Sequence, residues 1–217
     1  IYDSWGQYDK AIEYYKEALA IDKKLGVEGD VAISLNNIGG VYKSWGQYDM
    51  AIKYYKEALV IAEKLGREDM IGLYLNNIGI VYKSWGQYDK AIEYYKEALA
   101  IEKKLGQEGS VATSLNNIGI VYKSWGQYDK AIKNFEEALA NYKKLGQEDG
   151  IALSLNNIGI VYKSWGQYDK AIKNFEEALA NYKKLGQKDK IGTCLNNIGV
   201  IYDSWGQYDK AIEYYKE

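Results

Sequence analysis

Residues 115–132 read LNNIGIVYKSWGQYDKAI, and the same stretch returns almost unchanged from Leu35, Leu75, Leu155 and Leu195. Its tail also opens the chain at Ile1. The tryptophans mark the period: Trp5, Trp45, Trp85, Trp125, Trp165 and Trp205 stand 40 residues apart without slippage. A fixed period of roughly 20–50 residues signals stacked supersecondary units. Each unit then contacts only its neighbours, so chain length sets the number of repeats rather than the size of one core.

Each unit reads as two helices. In the first, Leu115, Ile118, Gly119, Tyr122 and Trp125 follow the three-and-four spacing of one helical face. Gly126 comes next and can take the left-handed conformation that ends a helix. Tyr128 and Asp129 open the second helix, with the acid in the first turn where the dipole favours it. The apolar face of a second helix is Tyr48, Ala51, Ile52, Tyr55, Ala58, Leu59, Ala62 and Leu65, again at helical spacing. Leu65-Gly66 closes it, and Arg67-Glu68-Asp69 reads as the link to the next unit. Nothing alternates with period two, so strands are not expected. Neither helix can bury its face alone, and each Leu, Ile or Tyr buried by stacking contributes roughly 1.5–3 kcal/mol. Gly39, Gly79, Gly119, Gly159 and Gly199 fall inside helices, at a cost of about 1 kcal/mol each against alanine. That cost makes sense where a facing helix backbone comes close, with Ala51 and Ala58 opposite to permit it.

Composition limits the function. The chain has 217 residues, 47% hydrophobic, with a net charge of −2, no histidine, no proline and one cysteine, Cys194. No apolar run approaches the ~18 residues of a membrane span, so a soluble, cytoplasmic protein without membrane contact is expected. The charge argues against a general nucleic-acid binder. Absence of histidine removes the commonest metal ligand and general base. A phosphate loop, a metal-ligand cluster and a catalytic triad are missing, so no catalytic residue, metal or cofactor is expected, and the chain does not read as an enzyme. Cys194 reads as a packed thiol, since no histidine exists to activate it. Glu13, Glu17, Glu136 and Glu137 read as a solvated face paired with lysines. The 23 tyrosines and six tryptophans invite a base-stacking role. Tyr42, Trp45, Tyr48 and Tyr55 instead fall on core stripes, leaving Tyr14, Tyr54 and Tyr94 as the more exposed rings.

The residues resemble the tetratricopeptide repeat family. Leu35, Ile38-Gly39, Tyr42, Ala51, Tyr55 and Ala58 stand at the family's packing positions, and Phe135 and Phe175 supply the late aromatic in two copies. The unit departs from the family's usual one by lacking its proline and running a further turn to Leu-Gly. That longer form resembles the 40-residue variant of Pins/LGN-type adaptors and, less closely, kinesin light chain. The resemblance implies an all-α, right-handed α-solenoid, a superhelix of antiparallel helix pairs with a concave groove lined by first helices. One array is expected over 1–217: a partial repeat at 1–31, repeats at 32–71, 72–111, 112–151 and 152–191, and a partial repeat at 192–217.

The face opposite the core stripe of the first helices is the candidate binding surface. One column is Asn36, Asn76, Asn116, Asn156 and Asn196, and a second is Asn37, Asn77, Asn117, Asn157 and Asn197. A third is Gly40, Ile80, Ile120, Ile160 and Val200, and a fourth is Lys43, Lys83, Lys123, Lys163 and Asp203. Asparagine is a mediocre helix former, so these amides need compensation. Their donors and acceptors suit the main chain of an extended peptide, and the resemblance implies such a clamp at the second column. Bonds between neighbouring helices, or plain solvation, are the alternative. The lysines suit an acidic or carboxylate-bearing ligand or a solvated helix end. The isoleucines offer apolar pockets or a buried floor.

Three functions are compatible with this pattern. The first is a protein-interaction scaffold binding a peptide of a partner protein. The second is a structural array associating head to tail, since Ile1–Glu17 is identical to Ile201–Glu217 and both ends are expected to expose apolar faces. The third is the sensor or spacer region of a larger signalling protein. Ser114–Gln147 and Ser154–Gln187 are also identical, which points to recent duplication or a near-consensus design, while Met50, Met70 and Cys194 favour a natural origin.

Overall fold

The structure is a computed structural model and describes residues 7–217. Residues 1–6, with Trp5 and the start of the repeat tail that opens at Ile1, lie outside the described residues. Eleven α-helices and no strand are found among them. The chain divides into two compact units, Ile1–Gly106 and Gln107–Glu217. The first holds α1 (Tyr8–Leu25), α2 (Glu28–Ser44), α3 (Tyr48–Lys64), α4 (Glu68–Ser84) and α5 (Tyr88–Lys104). The second holds α6 (Glu108–Ser124), α7 (Tyr128–Leu145), α8 (Glu148–Ser164), α9 (Tyr168–Leu185), α10 (Lys188–Ser204) and α11 (Tyr208–Lys216). Within each unit every helix packs on the one before and the one after it, which is an α-solenoid of antiparallel pairs.

Two tight turns build the stack. After α2, Gly46 takes φ 77°, its N–H donates to the Lys43 carbonyl at 3.0 Å, and the Gln47 N–H donates to the Tyr42 carbonyl at 2.9 Å. This pair of bonds satisfies the last carbonyls of the helix and reverses the chain. After α3, Gly66 does the same with φ 64°, and the Arg67 N–H donates to Ala62 O at 3.0 Å. The link between units of the repeat is therefore shorter than the Arg67-Glu68-Asp69 expected from sequence: Glu68 and Asp69 already belong to the first turn of α4, where the helix dipole favours acids. The first helices begin at Glu28, Glu68, Glu108, Glu148 and Lys188.

The core of each pair forms where a glycine of the first helix meets an aromatic ring of the second. A Cβ on Gly39 would stand 2.9 Å from the Tyr55 ring and 3.2 Å from the Ala51 carbonyl oxygen. On Gly119 it would stand 2.7 Å from Phe135, and on Gly159 2.7 Å from Phe175. The glycines thus chiefly accommodate a flat ring, not the approach of a bare backbone. Ile38, Ala51, Ala58 and Phe135 around these contacts are fully buried. In the second unit, Ala152, Phe175, Tyr182, Cys194 and Ile198 belong to one core cluster.

The tryptophans depart from the sequence reading. Trp45 is 38% exposed and Trp125 44% exposed. Each stands at a helix end. Trp45 joins neighbouring turns there, stacking on Tyr42 at 6.3 Å and on Tyr8 at 5.9 Å. Tyr54 and Tyr94 are half-buried, stacked on Tyr42 and Tyr82, whereas Tyr14 is 56% exposed. Each unit carries ion pairs at its opposite turns, Lys64 to Glu28 and Lys104 to Glu68 in the first, Lys144 to Glu108 and Lys184 to Glu148 in the second. These groups are solvent-exposed, so each pair contributes only about 0–1 kcal/mol. No helix among the described residues is long and apolar enough to cross a membrane.

This packing sets the expected response to substitution and to pH. Gly119→Ala gains about 1 kcal/mol of helix propensity but overpacks a fully buried ring, costing about 1–3 kcal/mol, and is expected to lower the thermal midpoint. Gly192→Ala on α10 meets nothing within 4 Å and should raise stability by about 1 kcal/mol; an equal response of both variants in thermal melts would contradict the ring contact. Burial pushes the Cys194 thiol up to about 11 and the Tyr55 phenol up to about 12. The folded chain holds these protons at a pH where the unfolded chain releases them. Stability is therefore full below the ordinary thiol range and falls as pH rises toward 11–12, to be read as melting temperature against pH.

Candidate functional site

The segment LNNIG places its two asparagines at the margin of the core. Leu35 and Ile38 are buried on α2, and the helical turn between them leaves Asn36 and Asn37 half-buried at the edge of that face. The same holds for Asn76 and Asn77 on α4 and for Asn156 and Asn157 on α8. On α6 the burial is deeper: Asn116 is 4% exposed. On α10 Asn196 is exposed and Asn197 half-buried.

The two columns make different bonds. First-column amides reach toward neighbouring helices. Asn76 Nδ2 donates to Glu102 Oε1 on α5 at 2.8 Å and to the Gly72 carbonyl at 3.2 Å. Asn116 Nδ2 donates to Ser154 Oγ on α8 at 3.2 Å. Asn156 Oδ1 accepts from the Cys194 thiol on α10 at 3.6 Å. Second-column amides reach back one repeat and close a rung: Asn77 Nδ2 donates to Asn36 Oδ1 at 2.8 Å, and Asn157 Nδ2 to Asn116 Oδ1 at 3.3 Å. With the donor so engaged, the carbonyl oxygens of Asn77 and Asn157 keep acceptor capacity. These bonds are the compensation that asparagine in a helix interior requires.

The other two columns flank the amides. Ile80, Ile120 and Ile160 are half-buried, and Val200 is 38% exposed. Lys43, Lys83, Lys123 and Lys163 are half-buried beside them. Lys163 Nζ donates to Asn197 Oδ1 at 3.0 Å, and burial lowers its hold on its proton. The first unit thus carries Asn36, Asn37, Asn76, Asn77, Ile80, Lys43 and Lys83 on α2 and α4. The second carries Asn116, Asn117, Asn156, Asn157, Asn196, Asn197, Ile120, Ile160, Lys123 and Lys163 on α6, α8 and α10.

Three participants stand outside the columns read from the sequence. Glu102 is 5% exposed on α5, where it holds Asn76 through Oε1 while Oε2 has no partner. Ser154 and Cys194 occupy one repeat position and serve the first-column amide of the preceding first helix. The signal for the latter was present: Ser34, Ser114, Ser154 and Cys194 place a small polar group on an otherwise apolar stripe. Chemically, such a face can hold polar main chain. Among the described residues no group of three or more acidic or thiol side chains is gathered to hold a metal ion.

Known proteins place this architecture. The tetratricopeptide repeat model matches residues 6–64, 30–104, 69–144, 110–184 and 150–217. No curated protein matches the sequence. Among solved structures, BtubC (BKLC) from P. vanneervenii is similar at 25% identity, covering 95% of this chain and 87% of that one, with a TM-score of 0.83. A STAND signal-transduction ATPase with a tetratricopeptide repeat sensor, from Pyrococcus horikoshii, shows 20% identity over 97% of this chain and 33% of that one, with a TM-score of 0.82. A Rap protein complexed with Competence and Sporulation Factor shows 17% identity over 99% and 70% of the two chains, with a TM-score of 0.70. With its 40-residue helix pairs, its glycine–aromatic core and the family model matching from residue 6 to residue 217, the chain belongs to the tetratricopeptide repeat family.

Proposed function

We propose that this chain is a protein-interaction scaffold whose first-helix face binds an extended peptide segment of a partner. The second-column amides, Asn37, Asn77, Asn117, Asn157 and Asn197, take the peptide main chain. Lys43, Lys83, Lys123 and Lys163 meet its acidic groups, and Ile80, Ile120 and Ile160 receive its apolar side chains. What carries the reading is the division of labour between the columns. Asn76, Asn116 and Asn156 are occupied between helices, while Asn77 and Asn157 are tethered by their donors and keep oxygens for a ligand N–H. A tethered amide loses less rotamer freedom on binding, which is the benefit of preorganisation. The similarly folded Rap protein, in complex with a factor, supports a binding role in kind.

A second reading is association between copies. A cavity of about 410 Å³ on α10 and α11, lined by Ile191, Leu195, Tyr214 and Tyr215 among others, favours it.

Selection of a random peptide library against the chain tests the first reading. Acidic, extended sequences should be enriched, and binding should be lost in the Asn77→Ala/Asn117→Ala/Asn157→Ala variant. Equal binding by that variant would remove the clamp. Size measured across concentration tests the second reading, growth with concentration being the expected result. The columns should also separate in stability. Asn116→Ala strands buried Ser154 and Asn157 and should cost about 1–3 kcal/mol, whereas Asn117→Ala should change the unfolding midpoint little.

A further inference from the structure

The second helices carry an aromatic arrangement that the first-helix face does not use. On α2 and α4 the rings of Tyr42 and Tyr82 are covered by Tyr54 and Tyr94, with centroids 5.4 Å apart and planes at 11° and 17°. In the second unit Tyr202 on α10 is covered in the same way by Tyr214 of α11, at 5.6 Å and 17°. The Tyr214 hydroxyl donates to Glu176 Oε1 on α9 at 3.2 Å. A seat therefore has a ring floor on the first helix and a covering phenol, and at Tyr202 a third part, a carboxylate on the preceding second helix that accepts from the phenol. At the Tyr82 seat Lys56 stands in the place of Glu176, its ammonium 5.8 Å from the Tyr94 centroid.

One repeat earlier the seat is present and the phenol is missing. Tyr162 on α8 takes the place of Tyr202, Glu136 on α7 that of Glu176, and Asn174 on α9 that of Tyr214. Asn174 does not cover the ring, because its Nδ2 turns back to the Lys170 carbonyl at 2.8 Å. Tyr162 is half-buried, as is Tyr202 beneath Tyr214, while Tyr42 and Tyr82 are 7% and 8% exposed. Glu136 lies near enough for its charge, after burial itself, to raise the Tyr162 phenol pKa. The Lys170 ammonium lies 5.2 Å from the Tyr162 centroid, but it does not block the seat. Lys210 lies 5.1 Å from Tyr202 while Tyr214 is stacked there.

We propose that Tyr162, Glu136 and the small Asn174 form a docking seat on α7–α9 for the neutral phenol side chain of a tyrosine on a partner protein. The occupant is read from the same chain, which fills the equivalent seats with its own Tyr54, Tyr94 and Tyr214. Offset stacking on Tyr162 supplies the floor, and the phenol O–H donates to the Glu136 carboxylate, a charge-assisted bond. That carboxylate sets the selectivity. Phenylalanine stacks but forgoes that bond, and a phosphotyrosine brings a second anion against the carboxylate. The seat is independent of peptide binding on the first-helix face.

The test uses the 217-residue chain with N-acetyl-tyrosinamide, its phenylalanine analogue and its O-phosphorylated form, read by NMR at the Tyr162 ring and Lys170 side chain. Saturable shifts are expected with the tyrosine probe, about fivefold or more weaker binding with phenylalanine, and none with the phosphorylated probe. Asn174→Tyr fills the seat from within. It should fold with an unchanged or higher melting temperature, because tyrosine holds that position at Tyr54, Tyr94 and Tyr214, and it should abolish the shifts. Glu136→Gln should erase the preference for tyrosine over phenylalanine. An absence of saturable shifts in the wild-type chain, unchanged shifts in Asn174→Tyr, or equal binding of the phosphorylated probe would each overturn the proposal.

Discussion

The contact on which the array depends is a bare helical backbone at a glycine lying against an aromatic ring. Gly39 meets Tyr55, Gly79 meets Tyr95, Gly119 meets Phe135, Gly159 meets Phe175 and Gly199 meets Tyr215, each closer than a side chain would allow. Each glycine costs its helix about 1 kcal/mol in propensity. The ring that takes the space is buried to 0–3% at Tyr55, Tyr95, Phe135 and Phe175, and a fully buried aromatic contributes roughly 1.5–3 kcal/mol. The exchange is favourable only if the two helices stay close, so the contact sets their separation. Once that separation is set, the alanines of the second helix, Ala51 and Ala58, are buried completely, and the next first helix can stack against it.

Much of this was legible in the sequence because a repeat states its own periodicity. The helices, their glycine turns and the glycine-facing stripe all follow from three-and-four spacing repeated at 40 residues. What was not legible was anything that depends on which neighbour fills a space. The glycine at position 119 announces a close approach, but not that a phenyl ring makes it. The tryptophans continue a core stripe by spacing, yet they stand at helix ends and lie partly in solvent, because the stripe runs out where the turn begins. Spacing along one helix also cannot tell a solvated amide from one that reaches across to another repeat. For that reason the bonds from Asn77 to Asn36 and from Asn116 to Ser154 come from the structure alone.

Those amides show how structural and binding roles can share one motif. Two adjacent asparagines on a helix are separated by about 100°, so they cannot face the same way. One is drawn toward a neighbouring helix and is engaged there, by Ser154 or by Glu102. The other stands nearer the margin and takes its tether from the first-column amide one repeat back. Preorganisation of the second amide is thus a by-product of satisfying the first. A substitution at the first column would loosen both, and a substitution at the second would leave the stack in place.

Near-identical repeats leave one further question, which is how a joint between them stays specific. The structure answers it by moving volume across the joint. Tyr142 at the end of α7 lies over Gly150 of α8, where a Cβ would come within 2.5 Å of the ring, and its hydroxyl meets Thr113 Oγ1 at 3.3 Å. At the equivalent joint of the first unit the second helix carries Ala62, and the bulk comes from the other side, as Met70 and Tyr74 of α4, with Ala62 and Tyr74 buried to 0% and 1%. Large meets small in both cases, with the partners reversed. A pairing of α3 with a helix of the α8 kind would leave a void beside Ala62, a cavity that costs on the order of 2–5 kcal/mol. The reverse exchange is less restricted: at the joint of α9 and α10 the position of Gly150 carries Lys190, whose ammonium lies 5.5 Å from the Tyr182 centroid, so a long side chain there passes over the ring.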